Sequence, residues 1–188
     1  MDYEPEFIGG HLALDLVNTV AWRLDDRRRV DRLADPGNLR KWLTATGLEP
    51  SAGATAFRST AKDSLVQCRE TAYAVLHPLA VGDEPRAADL AVLRELIEDA
   101  VRTASLVGAR PLSWQADSIV DQVRLSVWRF FEDEDLNRLR QCGDDGGCGW
   151  LFLDRSKNGS RRWCSSADCG NRARARRHYQ RHQAGASA

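Results

Sequence analysis

The sequence predicts a mainly α N-terminal domain, α or α+β in class, followed by a small treble-clef-like zinc finger made of a β-hairpin and a helix. Three observations carry that reading. Apolar residues recur at helical spacing through the first 137 residues. Four of the five cysteines, Cys142, Cys148, Cys164 and Cys169, fall within 28 residues of one another. Charge divides at the same place. The 188 residues carry 27 Lys and Arg against 27 Asp and Glu, a net charge of zero. From Arg138 onward eleven basic residues face four acidic ones, so the tail is +7 and the body −7. The expected division is residues 1–135 and residues 136–188. An apolar content of 43% is enough to bury a core, which excludes a disordered chain. No run of about 18 apolar residues suggests a membrane span. The acidic start MDYEPEFIGG lacks a secretory pattern, so the expected location is the cytoplasm.

The elements follow in order. Leu12, Leu14, Leu16, Val17 and Val20 make a short apolar helix after the Gly9-Gly10 turn. Asp35-Pro36-Gly37-Asn38 starts a second helix, capped by Asp35 or Asn38. Leu39, Trp42 and Leu43 form its stripe and Gly47 ends it. A long helix is expected from about Ala54 to Leu79, with Leu65, Cys68, Ala72, Val75, Leu76 and Leu79 inward. Cys68 on that stripe reads as a buried small apolar residue, and Pro78 after His77 as a kink. The next helix is expected from Ala87 to Leu106, with Leu90, Leu93, Ile97, Val101 and Ala104 inward. Residues 112–114 read as a short strand or a loop. A further helix spans Asp117 to Phe131, with Ile119, Val120, Val123, Val127 and Phe130 on one face. Glu132 to Asp135 form an acidic boundary before the first ligand cysteine.

The cysteine spacing is Cys-x5-Cys, fifteen residues, then Cys-x4-Cys. Without an export signal, two local pairs point to a metal rather than to disulfides. Four soft thiolates suit tetrahedral Zn²⁺. Asp144, Asp145, Gly146 and Gly147 suit a loose first knuckle. Between the pairs, Trp150-Leu151-Phe152-Leu153 reads as a strand and Arg161-Arg162-Trp163 as its return, joined by a turn at Asn158-Gly159. The helix after Cys169 is expected to be capped by Ser165 or Ser166. His178 and His182 have the spacing of a two-Cys/two-His finger, but they lie too close to Cys169. They are expected on the helix surface.

That helix is strongly basic. Arg174, Arg177 and Arg181 fall at i, i+3, i+7 on one face, and Arg172 and Arg176 form an i, i+4 pair beside it. Lys157, Arg161 and Arg162 add charge on the hairpin, and Tyr179 is placed to stack on a base or pack on the hairpin. A rigid basic module suits phosphate and groove contacts, so double-stranded DNA is the expected partner.

The stretch Cys142 to Arg181 resembles the zinc finger of the CGNR family, whose naming motif is Cys169-Gly170-Asn171-Arg172. The run from Phe7 to Thr19, FIGGHLALDLVNT, resembles the start of the ABATE-type domain that accompanies this finger. The resemblance implies a bacterial transcription regulator, with a finger that binds DNA and an N-terminal domain that senses a ligand. It adds Asn171 to the candidate DNA contacts and supports the four cysteines as zinc ligands.

No phosphate loop, nucleophile elbow or His-Glu-x-x-His occurs, and four thiolates leave a metal no open position, so no enzyme is expected. No catalytic residue is assigned. His11, Asp15 and Asn18 share a face of the first helix. With Arg23 they are the candidate ligand-binding residues for a small-molecule effector. One finger has a small footprint, so a homodimer through the N-terminal domain is expected. The alternative is a zinc-stabilised protein or RNA interaction module without sequence-specific DNA binding. The charge split also raises the expectation that the acidic body masks its own basic finger.

Overall fold

A computed structural model describes residues 3–48 and 59–186. The first helix, α1 (Leu12–Val17), starts where the His11 ring accepts a bond from the Ala13 N–H. It is too short to continue to Val20, which instead lies in β1 (Val20–Ala21), paired antiparallel with β2 (Val30–Asp31). Helix α2 (Pro36–Thr46) has the expected ends: Asp35 accepts from the Asn38 N–H, proline sits in the first turn, and Gly47 closes it at φ 67°.

Helix α3 (Ser59–Val81) runs through Pro78. The start expected near Ala54 lies outside the described residues. Leu65, Cys68, Ala72, Val75 and Leu76 are buried along it. Burial pushes the Cys68 thiol up to about 12, which keeps it protonated and inert.

Helix α4 (Ala87–Thr103) ends earlier than expected. Residues 105–107 leave it to form β3 (Ser105–Val107), paired with β4 (Ser113–Gln115). The serine and β-branched valine suit a strand, and Gly108 at φ 71° turns the chain back. The buried stripe of α4 is Leu93, Leu96 and Ala100, with Ile97 partly buried beside it, and Leu90 is 45% exposed. The helix packs on α3 and α5, and Val101 and Ala104 pack in a second cluster with Ala100, Ala116 and Leu125. Helix α5 (Ile119–Asp133) is capped by Ser118, and Val123, Val127 and Phe130 enter the main core.

The largest correction concerns the hairpin. Leu151–Leu153 forms β6, but its partner is β5 (Leu139–Gln141), not residues 161–163. The Asn158-Gly159 turn exists within an irregular loop. Asp154 shapes that loop by accepting from the Ser156 and Arg161 N–H groups with its two oxygens. The period of two along β6 then splits its side chains. Leu151 and Leu153 join the main core with Leu139, while Phe152 packs among the four clustered cysteines. Helix α6 (Cys169–Ala186) closes the chain.

A buried ionic network ties β1 and β2 to α3. Arg69 is 2% exposed and donates to both Asp31 oxygens (2.6 and 2.7 Å) and to Thr19 Oγ1 (3.2 Å). Glu70 accepts from Arg69 (2.7 Å) and Arg23 (2.7 Å). Burial alone would raise the Asp31 carboxyl, but the Arg69 bonds hold it below its ordinary range.

Candidate metal centre and basic helix

The knuckle sits between β5 and β6. Cys142 donates its N–H to Trp150 O, and the loop passes through Gly147 at φ 94° and Gly149 at φ 72°. Both glycines are needed. A Cβ at Gly147 would lie 2.8 Å from the Asp25 side chain, and one at Gly149 2.8 Å from Leu24. This close approach lets Arg23 N–H bond Cys148 O and Leu24 N–H bond Gly147 O. The second pair lies where the loop meets α6, and Ser165 accepts the Asp168 N–H in the turn before the helix; Asp168, not Ser165 or Ser166, stands at the position that precedes Cys169.

The four sulfurs are buried and lie within 4.8 Å of one another. Cys164 Sγ is 3.4 Å from Cys169 Sγ and 3.7 Å from Cys148 Sγ. A tetrahedron with Zn–S bonds of about 2.3 Å has edges of about 3.8 Å. The donor set therefore fits Zn²⁺, and Cys142, Cys148, Cys164 and Cys169 would hold it as a closed structural site. Two further donors face the sulfurs: Cys164 N–H to Cys142 Sγ (3.4 Å) and Arg172 Nη2 to Cys169 Sγ (2.8 Å).

The basic residues divide into two sets. Arg161 donates to Ile8 O (3.1 Å), Trp163 O (3.1 Å) and Cys164 O (2.6 Å), with its guanidinium over the Phe152 ring. Arg172 and Arg176 both bind Asp144, whose carboxylate is fully buried, and Arg176 also binds Asp145. Arg172 further pairs with Asp168. These three arginines brace the finger. Asn171 donates to Ala167 O (2.6 Å) and accepts from Arg174.

The second set is exposed: Lys157, Arg162, Arg174, Arg177 and Arg181. Among the described residues, Arg177 and Arg181 bond backbone carbonyls of their own helix, and Arg174 bonds Ser166 O and Asn171. Among the described residues, no carboxylate pairs with these three. With His178 they line an open groove of about 510 Å³. Tyr179 is 71% exposed. His178 and His182 lie on the helix surface, their Nε2 atoms 3.1 Å apart.

The candidate ligand residues do not share one pocket. The His11 ring packs on Phe130 at 5.2 Å and lines a cavity of about 400 Å³ with Trp114 and Arg129. Burial lowers its pKa below the ordinary histidine value. Asp15 and Asn18 line a different cavity, of about 240 Å³. Asp15 accepts the Gly9 N–H at 2.9 Å, and burial pushes its carboxyl up to about 6. Arg23 is buried against Glu70, Val17 O and the Tyr73 ring.

The sequence reading missed what joins the finger to the body. Trp22 has a φ of 54°, and its ring lies between the guanidiniums of Arg28 (3.9 Å) and Arg172 (4.6 Å). Asp144 was legible only as a loop former. A usable signal was present: an Asp-Asp pair in the knuckle facing an i, i+4 arginine pair on the helix. The finger meets the body through Trp22, Arg23, Leu24 and Arg28 among other contacts, which include the ion pair of Arg155 with Glu134 (2.7 Å).

Two family models match the chain. One, ABATE, described as "Putative stress-induced transcription regulator", covers residues 10–142. The other, described as CGNR zinc finger, covers residues 138–182. No curated protein matches it. No helix among the described residues is long and apolar enough to cross a membrane.

Proposed function

The chain belongs to the ABATE family, and we propose that it regulates transcription by binding duplex DNA through its zinc finger. In this reading residues 1–135 form a body that senses a small molecule or dimerises, and residues 136–188 form the finger. Zinc is structural, because four thiolates close its coordination. It fixes the start of α6 against the hairpin. The Asp144 pairs with Arg172 and Arg176 then fix the rotation of that helix.

The observation that carries the reading is the face of Arg174, Arg177 and Arg181. Three guanidiniums at i, i+3, i+7 are exposed, free of carboxylates among the described residues, and mounted on a braced helix. That is the arrangement phosphate contacts need. Lys157 and Arg162 add exposed charge in the loop before Cys164, and Asn171 steadies Arg174. The test is titration of the zinc-loaded chain with duplex DNA at several salt concentrations. Binding that weakens steeply with salt is expected, and no binding at about 50 mM salt would refute the reading.

A further inference from the structure

Residues 3–8 run over a cleft between the body and the finger. Tyr3 O accepts from Lys41 and Ile8 O from Arg161, so both ends of this strap are tied down. Beneath it is the cavity of about 240 Å³. That is small for a drug-sized molecule and suits a ligand of about ten heavy atoms. Its lining includes three aromatic residues: Tyr3 from the strap, the buried Trp42 from α2 and Trp150 from the finger. A smaller cavity of about 120 Å³ shares Glu6, Arg32 and Trp150 with it and reaches the cysteines.

The charge of the lining is unbalanced. Glu4, Glu6 and Asp15 face one cation, Arg32. Glu4 has Lys41 at 3.6 Å. Arg32 lies over the Tyr3 ring at 5.5 Å and makes no bond to Asp15. Asp15 is 93% removed from solvent, being 7% exposed. One of its oxygens accepts the Gly9 N–H, and the other has no partner among the described residues. That second oxygen is not sealed from solvent, and Asp15 lines the cavity beside Tyr3, Trp42 and Trp150. The complement to a lone carboxylate among aromatic rings is an organic cation, held by a charged hydrogen bond and by ring faces.

We propose that this cavity binds a small primary ammonium ion with an aromatic body, its nitrogen on Asp15 and its ring against Trp150. The site rests on the reading of the body as a sensor and gives that sensor a ligand class. Trp150 belongs to the finger, so occupancy would be felt there.

The test is calorimetric titration of the full zinc-loaded chain with three probes of one shape: 2-phenylethylamine, 2-phenylethanol and 3-phenylpropanoate. The amine should bind saturably, and the alcohol and acid at least about tenfold more weakly. Asp15→Asn keeps an oxygen for Gly9 and should weaken the amine by about tenfold at unchanged zinc content. Equal binding of alcohol and amine, tighter binding of the acid, or an amine affinity untouched by Asp15→Asn would each overturn the proposal. If Asp15→Asn does not fold, exposed Glu6→Gln carries the test. A loss of about threefold is expected, and no loss overturns it. Parallel DNA titrations separate this proposal from the sensing reading. Amine binding without any change in DNA affinity refutes sensing and supports the site. Salt-dependent DNA binding without amine binding refutes the site alone.

Discussion

The Asn18 side chain pairs with both backbone groups of Leu151: Nδ2 donates to the carbonyl at 2.8 Å, and Oδ1 accepts the N–H at 2.9 Å. One amide at the C-terminal cap of α1 thus acts as an extra strand beside β6. It joins the first helix of the body to the hairpin of the finger. Asn18→Ala would leave two buried backbone groups unpaired. The expected loss is about 2–4 kcal/mol, read from urea unfolding. A loss under about 0.5 kcal/mol would mean water replaces the amide.

Zinc removal should do more than free the tail. Cys164→Ser, or a strong chelator, removes the ligand set that holds α6 to the hairpin. Metal analysis should fall from about one Zn per chain to none in Cys164→Ser. Leu139, Leu151 and Leu153 sit in the main core, so body stability should fall with it. The same sharing makes deletion of residues 1–137 a poor test of masking, because it strips the hairpin of its packing. A chain that loses zinc but keeps its full thermal midpoint would contradict this coupling.

Much of the molecule was legible because it is set by local chemistry. Asp35 and Gly47 mark helix ends through a side chain and a φ value that a single position determines. The cysteine spacing gave the sulfur cluster for the same reason. The hairpin partner was not legible. Leu139-Arg140-Gln141 has no strand signature of its own, and it pairs because Leu139 completes the core opposite Leu153. Arg69 was equally hidden, since its burial depends on Asp31, Glu70 and Thr19 arriving from elsewhere. Of the basic residues, sequence showed the density but not the division into bracing and exposed sets. That division is decided by the distant Asp144.

Asp15 gives a pH prediction with an unusual sign. Burial pushes its folded pKa up to about 6, against an ordinary carboxyl value of 3.8. Between these values the folded chain holds the proton more tightly than the unfolded chain. Its contribution to stability is therefore greatest below pH 4 and declines as pH rises towards 6. Asp15→Asn should flatten this part of the profile and stabilise the chain at pH 7.5 by on the order of 1–3 kcal/mol. Urea unfolding at pH 4.5 and 7.5 reads both effects, and a variant less stable than the parent at pH 7.5 would reject the argument.

Asp144 should act in the opposite sense. Burial raises its carboxyl, but the Gly146 N–H and the two arginines outweigh that and hold it below the ordinary value. Its stabilisation is present above pH 4 and is lost as pH falls through the depressed folded value. Asp144→Asn removes the charge that Arg172 and Arg176 share. The expected cost is about 1–3 kcal/mol at pH 7, with DNA affinity falling because α6 is no longer fixed. The check is zinc retention during denaturant titration, which should end earlier in the variant. An unchanged midpoint would show that the two arginines find other partners.

The two sets of arginines make the DNA reading separable from mere stability. Arg174→Ala, Arg177→Ala and Arg181→Ala should each lower the slope of log K against log salt by about 0.9 if each neutralises one phosphate. Because these side chains are exposed and bond no carboxylate among the described residues, unfolding midpoints should stay within about 0.5 kcal/mol of the parent. Arg172→Ala and Arg176→Ala should behave in reverse. Each removes a partner of the buried Asp144, so stability falls first, and any loss of binding follows from that. Measuring slope and midpoint on all five variants therefore tests which face meets the duplex. If Arg172 and Arg176 change the slope at unaltered stability while the other three do nothing, the contact surface is the knuckle side of α6 and the assigned face is wrong.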